Sequence, residues 1–168
     1  MEGHFYGGTS GLQISMPKRD FSPEHAQQSR LTFYGHHENS IEINSSFCKI
    51  PQARTVSRWV AEVPGDFRFT FKLWKEITHQ KNLLFQTGDV NRYMEALAGA
   101  TAKKGCLLVQ FPPSLQVSAF LQLQELILKL SNKPQCSLKQ LRELYLLNFL
   151  VSIRTAVIFW IKHLRLAL

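Results

Sequence analysis

Four short runs, each ending in a polar or glycine-rich cluster and followed by a helix-like stretch, organise the first 131 residues. They are His4–Gly11, Ser40–Phe47, Phe67–His79 and Gly105–Pro113. Regular β-then-α alternation predicts parallel strands covered by helices, the arrangement of a (β/α) barrel, which carries its chemistry at the C-terminal strand ends. The alternation stops after four units. A closed barrel of eight units takes about 250 residues, whereas this chain has 168. The expected fold class is α/β: a partial (β/α) barrel of about four parallel βα units with a helical hydrophobic C-terminal tail. Residues 1–131 form the half barrel in this reading, and residues 132–168 are the tail.

Side-chain periodicity supports the division into strands and helices. Ile41 and Ile43 alternate with Glu42 and Asn44, and Phe67, Phe69 and Phe71 alternate with Arg68, Thr70 and Lys72. Successive strand residues face opposite ways, so the apolar set belongs under the helices and the polar set toward the barrel axis. Val56, Trp59, Val60 and Val63 fall at i, i+3, i+4, i+7, the stripe of a helix packed on a sheet. Ser22-Pro23-Glu24 predicts a first helix running to about Tyr34, Asp89 caps a third, and Ser118 caps a fourth with Phe120, Leu123, Ile127 and Leu130 on one face. Gly105 is expected to stop the third helix.

The net charge of +8 is concentrated in the tail. Residues 1–131 hold 14 Lys/Arg against 11 Asp/Glu, whereas residues 132–168 hold 6 Lys/Arg and only Glu143. No basic patch interleaved with aromatics occurs in the body, which argues against nucleic acid as a partner. Residues 144–161 are mostly apolar, but Arg154 interrupts them. A central arginine costs about 2.5–3.5 kcal/mol in a membrane-spanning helix, which argues against insertion. Cys48, Cys106 and Cys136 have neither zinc-ligand nor redox spacing. With no signal-peptide pattern at the N-terminus, they read as reduced thiols of a cytoplasmic protein.

The strand ends carry the candidate chemistry. Glu42 is placed for general acid/base work, with a structural pairing to Lys72 or Arg68 as the alternative. Lys72 is placed to hold an anionic substrate or transition state. His79, on the loop after the third strand, is a proton shuttle or a backbone-bonded loop residue. Thr9 and Ser10 lie in a glycine-rich turn where backbone N–H groups can approach an anion. Asn44 and Gln110 are placed to orient a ligand. The expected catalytic set is Glu42, Lys72 and His79, and the expected substrate-binding set is Thr9, Ser10, Asn44 and Gln110. The expected partner is a small polar or anionic ligand. His36-His37-Glu38 are adjacent and point in different directions, so no metal is assigned. The sequence names no cofactor and does not decide whether the chain is an enzyme.

Taken together, these strand-end clusters resemble the YecE-like family, domain of unknown function 72. The matching pieces are Gly8-Thr9-Ser10-Gly11, Ile41 through Phe47, Phe67-Arg68-Phe69 through Lys72, Thr78-His79, and Gln110 through Ser114, with Pro51, Trp59 and Pro64 in step. The resemblance covers about residues 4–131. It implies a TIM barrel with a polar mouth and names no reaction. It also implies a fifth strand with a Glu-x-Arg motif, which is missing. The basic, Leu-rich composition of 132–168 looks like a replaced or out-of-frame C-terminus. Two departures, Leu12 after Gly11 and Cys48 after Phe47, remove aromatic surface that the family pattern places near the mouth. A half barrel leaves its first and fourth strands as open edges, a route to self-association. Three readings follow: a small-molecule site at the strand ends, a non-catalytic self-associating remnant, or a module binding nucleic acid or anionic lipid through its tail.

Overall fold

The computed structural model describes residues 5–131 and the backbone of Ile158–Lys162. Four strands run parallel in sequence order: β1 (Gly8–Ser10), β2 (Ser40–Ile43), β3 (Arg68–Lys72) and β4 (Lys104–Gln110). Helices connect them: α1 (Arg30–Gly35), α2 (Ala53–Ala61), the short α3 (Lys75–Thr78) followed by α4 (Thr87–Ala96), and α5 (Phe120–Ser131) after β4. This is the opening part of a (β/α) barrel.

The core lies between the sheet and the helices. Phe67, Phe69 and Phe71 are buried, as are Ile41, Ile43, Leu107 and Val109. They meet Val56 and Val63 from the α2 region and Val90, Tyr93 and Met94 from α4. Burying each such large side chain contributes about 1.5–3 kcal/mol. Arg68 and Lys72, on the opposite face of β3, are only half-buried. The alternation therefore sorts apolar from polar side chains as the sequence predicts.

Two glycines mark close approaches between strands, one that excludes a Cβ and one that leaves it tight. A Cβ on Gly8 would lie 1.8 Å from the Ser40 carbonyl oxygen. A Cβ on Gly105 would lie 3.1 Å from Arg68 Cβ and 3.2 Å from the Phe69 carbonyl oxygen. Gly105 is thus a residue of β4 rather than a helix stop, and it sits where the β3–β4 register shifts between Phe69 and Phe71. Such a bulge needs a small residue beside its partner strand.

Helix starts depart from the sequence reading. The first helix begins at Arg30, because Ser29 rather than Ser22 accepts the Thr32 N–H (3.0 Å). Ser22 opens a turn instead, its carbonyl accepting the His25 N–H at 2.8 Å. Asp89 lies inside the first turn of α4 and pairs with Arg92 (2.9 Å). Ser118 lies in a 3-10 turn ahead of α5, whose buried stripe is Leu123, Leu126 and Leu130. Lys103 takes a capping role at the end of α2: its Nζ donates to the Val60 and Val63 carbonyls at 2.7 and 2.5 Å. Burial pushes the Lys103 pKa down, Arg68 pushes the same way, and Asp66 opposes both.

The edges of the sheet also differ from expectation. The fourth strand is not open: β5 (Ile158–Lys162) pairs antiparallel with it, from Gln110↔Ile158 to Cys106↔Lys162. An exposed row of backbone donors and acceptors invites such pairing. The helix expected for the tail lies largely outside the described residues; its described piece, Ile158–Lys162, is a strand. Only β1 keeps an edge with no neighbouring strand among the described residues. No helix among the described residues is long and apolar enough to cross a membrane.

Candidate functional site

Strand register gathers the predicted residues at one end of the sheet. Ser10 lies beside Glu42, Glu42 beside Thr70, and Lys72 beside Leu108. Parallel partners point the same way, so Ser10, Glu42, Thr70 and Lys72 share the face turned away from the helices. Gln110 ends β4 two residues beyond Leu108, on that same face.

Lys72 is the most tightly fixed of these at its backbone. Its N–H donates to Ser46 Oγ (3.0 Å), and its carbonyl accepts from Ser46 Oγ (2.7 Å) and Tyr93 Oη (2.7 Å). Ser46 Oγ also lies 2.6 Å from the Ile43 carbonyl, which ties the end of β2 to the end of β3. Burial pushes the Tyr93 phenol pKa well up, and the bond with Ser46 offsets this in part. The Lys72 Nζ, carried on this hydrogen-bonded backbone, lies 4.7 Å from the centroid of the Phe47 ring. Cations favour aromatic faces at this distance.

The other face of this small cluster is His79. Its ring meets Phe47 edge-on, with centroids 5.1 Å apart. Its Nδ1 is hydrogen-bonded to the hydroxyl of the buried Thr78 (2.8 Å), which leaves Nε2 for a ligand. Partial burial of the imidazole lowers its pKa, and Lys72 and Lys75 lower it further. The lowering favours the neutral imidazole, the form that accepts a proton.

Glu42 is half-buried and forms no ion pair among the described residues. The pairing weighed for it with Arg68 is removed by geometry, because Arg68 Nη1 donates to the Gly65 and Phe67 carbonyls at the opposite end of β3. A pairing with Lys72 is likewise not formed. Asn44 Nδ2 donates to Ser10 Oγ (3.2 Å), joining the ends of β1 and β2. Thr9 is turned inward to structural work: its N–H donates to Tyr34 Oη (2.7 Å) and its hydroxyl to the Gly11 carbonyl (2.8 Å). The structure thus brings Glu42, Lys72, His79, Ser10 and Asn44 to one strand-end region, with Gln110 at its β4 side, while Thr9 supports the loop.

Three contributors escape sequence reasoning. Ser46, Tyr93 and Phe47 receive no role from motif or spacing, yet they position Lys72 and His79. The signal available was the strand-end placement of Ser46 and Phe47; nothing local marks Tyr93, which sits in a helix stripe like any core residue. His36 and His37 pack on rings, His36 on His25 (5.1 Å) and His37 on Phe33 (4.8 Å). Among the described residues no three His, Cys, Asp or Glu side chains converge as a metal site.

Comparison with known proteins places this arrangement. The family described as "Protein of unknown function DUF72" matches residues 6–157. The chain belongs to the DUF72 family. The matched range runs past residue 131 into the basic tail. The UPF0759 protein YunF of Bacillus subtilis (strain 168) is 36% identical over 99 residues, covering 55% of this chain and 35% of YunF. The UPF0759 protein YecE of Escherichia coli (strain K12) is 29% identical over 82 residues, covering 49% of this chain and 30% of YecE. The match to each spans only about a third of that relative's length. A crystal structure of a DUF72 family protein from Enterococcus faecalis V583 superposes with a TM-score of 0.54 at 25% identity, covering 60% of this chain and 40% of that one. A second crystal structure of that protein gives 0.53 at 24% identity. The strand-end cluster lies within the residues that the DUF72 family model matches.

Proposed function

We propose that this chain carries a small-molecule site at the C-terminal ends of β1–β4, equipped for acid–base chemistry on a polar or anionic substrate. The observation that supports it most is the Lys72–Phe47–His79 cluster. A cation over the face of one aromatic ring and an imidazole in edge-on contact with the same ring meet at the end of a barrel where such sites are built. In this reading His79 Nε2 takes a proton from the substrate, Lys72 holds the negative charge that develops, and Glu42 is the second proton-transfer group. Ser10, Asn44 and Gln110 orient the ligand from the two flanks. Barrel architecture alone names no reaction, so the assignment rests on these side chains.

The test is a thermal-shift screen of the full chain against polar and anionic metabolites, repeated with Lys72→Met and His79→Gln. The reading predicts hits that both substitutions weaken. Hits indifferent to both would overturn it.

One observation favours a second reading, self-association. Among the described residues β1 has no neighbouring strand on its outer side, and Phe5, Tyr6, Leu12 and Met16 near it in sequence are exposed large apolar residues. Light scattering over a concentration series tests this; a monomer at every concentration would exclude it.

A further inference from the structure

We propose that the strand-end site selects a small zwitterion, a molecule carrying an anionic group and an ammonium a few bonds apart. The inference rests on the small-molecule reading above and narrows its substrate class.

Two opposite charges at the strand ends, Glu42 and Lys72, leave each other unpaired. Glu42 and Lys72 are on adjacent strands and on the same face, with Glu42 beside Thr70 and Lys72 two residues further along β3. Strand spacing and rise put their Cα atoms about 8 Å apart on the diagonal. Both are half-buried, and neither has an ion-pair partner among the described residues. Half-burying a charge is unfavourable unless something of opposite sign meets it. Here the nearest aid to Lys72 is an aromatic ring, and Arg68, the other cation of β3, is committed to carbonyls at the far end.

A simple anion is a poor fit to this pair, because satisfying Lys72 brings negative charge toward Glu42. A simple cation has the converse fault with Lys72 and with Lys75 near His79. A zwitterion answers both: its anionic group on Lys72 and its ammonium on Glu42. Ser10 Oγ, Asn44 and the free Nε2 of His79 add neutral hydrogen-bonding groups on the rim. The fixed backbone of Lys72 makes the charge spacing a property of the fold rather than of a flexible side chain alone.

Four matched probes test this on the full chain: L-serine, glycolate, ethanolamine and glycerol, followed by thermal unfolding, since a ligand that binds the folded state raises the midpoint. The expected result is a saturable rise with L-serine that exceeds those with glycolate and ethanolamine, and none with glycerol. Glu42→Gln and Lys72→Met should each weaken L-serine by about 10–100-fold, the worth of a hydrogen bond to a charged group. Gly65→Ala, at a turn where a Cβ meets nothing within 4 Å, should retain binding and serves as the folded control. Glycolate binding as well as L-serine, with Glu42→Gln without effect, would overturn the zwitterion while leaving an anion site at Lys72. No probe responding to Glu42 or Lys72 substitution would overturn the zwitterion and count against the site itself.

Discussion

The Ser46 hydroxyl holds both main-chain groups of Lys72, accepting its N–H at 3.0 Å and facing its carbonyl oxygen at 2.7 Å. A single side chain from the turn after β2 thereby fixes the end of β3. Ser46 is 1% exposed, so these groups have no water to replace it. Ser46→Ala should destabilise the fold by about 1–3 kcal/mol, the cost of leaving buried polar groups unsatisfied. Denaturant unfolding measures this. A loss under about 0.5 kcal/mol, typical of a surface substitution, would show that the bond does not hold the strand end.

Tyr93 makes the third bond to the same residue, from Oη to the Lys72 carbonyl at 2.7 Å. Tyr93→Phe removes the donor but leaves Ser46 on that carbonyl. The expected loss is about 0.5–1.5 kcal/mol, less than for Ser46→Ala. Because burial raises the phenol pKa in the folded state, unfolding releases a proton above pH 10. Stability therefore falls as pH rises beyond that point. The Phe variant should lose that part of the alkaline slope, which urea midpoints across pH 9–11 would reveal.

Gly8 sets the approach of β1 to β2. With a Cβ at that position only 1.8 Å from the Ser40 carbonyl oxygen, Gly8→Ala requires the strands to separate. The tight Thr9–Tyr34–Ser40 hydrogen-bond chain beside it would be disrupted as well. A loss of about 1–3 kcal/mol is expected, as for overpacking in general. Thermal unfolding of Gly8→Ala beside Gly65→Ala, where a Cβ meets nothing within 4 Å, provides the comparison.

His79 gives the fold an acid-side dependence. Its pKa is lowered in the folded state, so below the ordinary value of 6.5 the unfolded chain binds more protons. Stability should rise as pH increases from the lowered folded value through 6.5, and level off above it. His79→Gln should flatten that part of the profile. An unchanged slope would place the dependence on other groups.

Much of this was legible because it depends on periodicity. Phe67, Phe69 and Phe71 announce a strand with a buried face, and Val56 to Val63 announce the helix on it; both patterns follow from geometry that every strand and helix shares. The locations of Glu42, Lys72 and His79 at the strand ends follow from the same patterns. What was not legible depends on competition or on distant partners. Ser22 and Ser29 are both chemically able to cap a helix, and only the surrounding fold selects Ser29. Gly105 reads as a stop after Lys103 and Lys104, yet it serves the close approach to Phe69. That Glu42 forms no ion pair with Arg68 follows from Arg68 turning toward Gly65 and Phe67, which no local pattern encodes. The antiparallel β5 is likewise a pairing between segments far apart in sequence.

Lys72 and His79 belong to one site, and an NMR titration of the His79 imidazole is the sharpest check of that pairing. In the unsubstituted chain His79 should titrate below 6.5, and in Lys72→Met its pKa should move up as the neighbouring positive charge is removed, with Phe47 still packed on the ring. A His79 that titrates identically in both proteins would mean that Lys72 does not reach it, and would contradict the shared site.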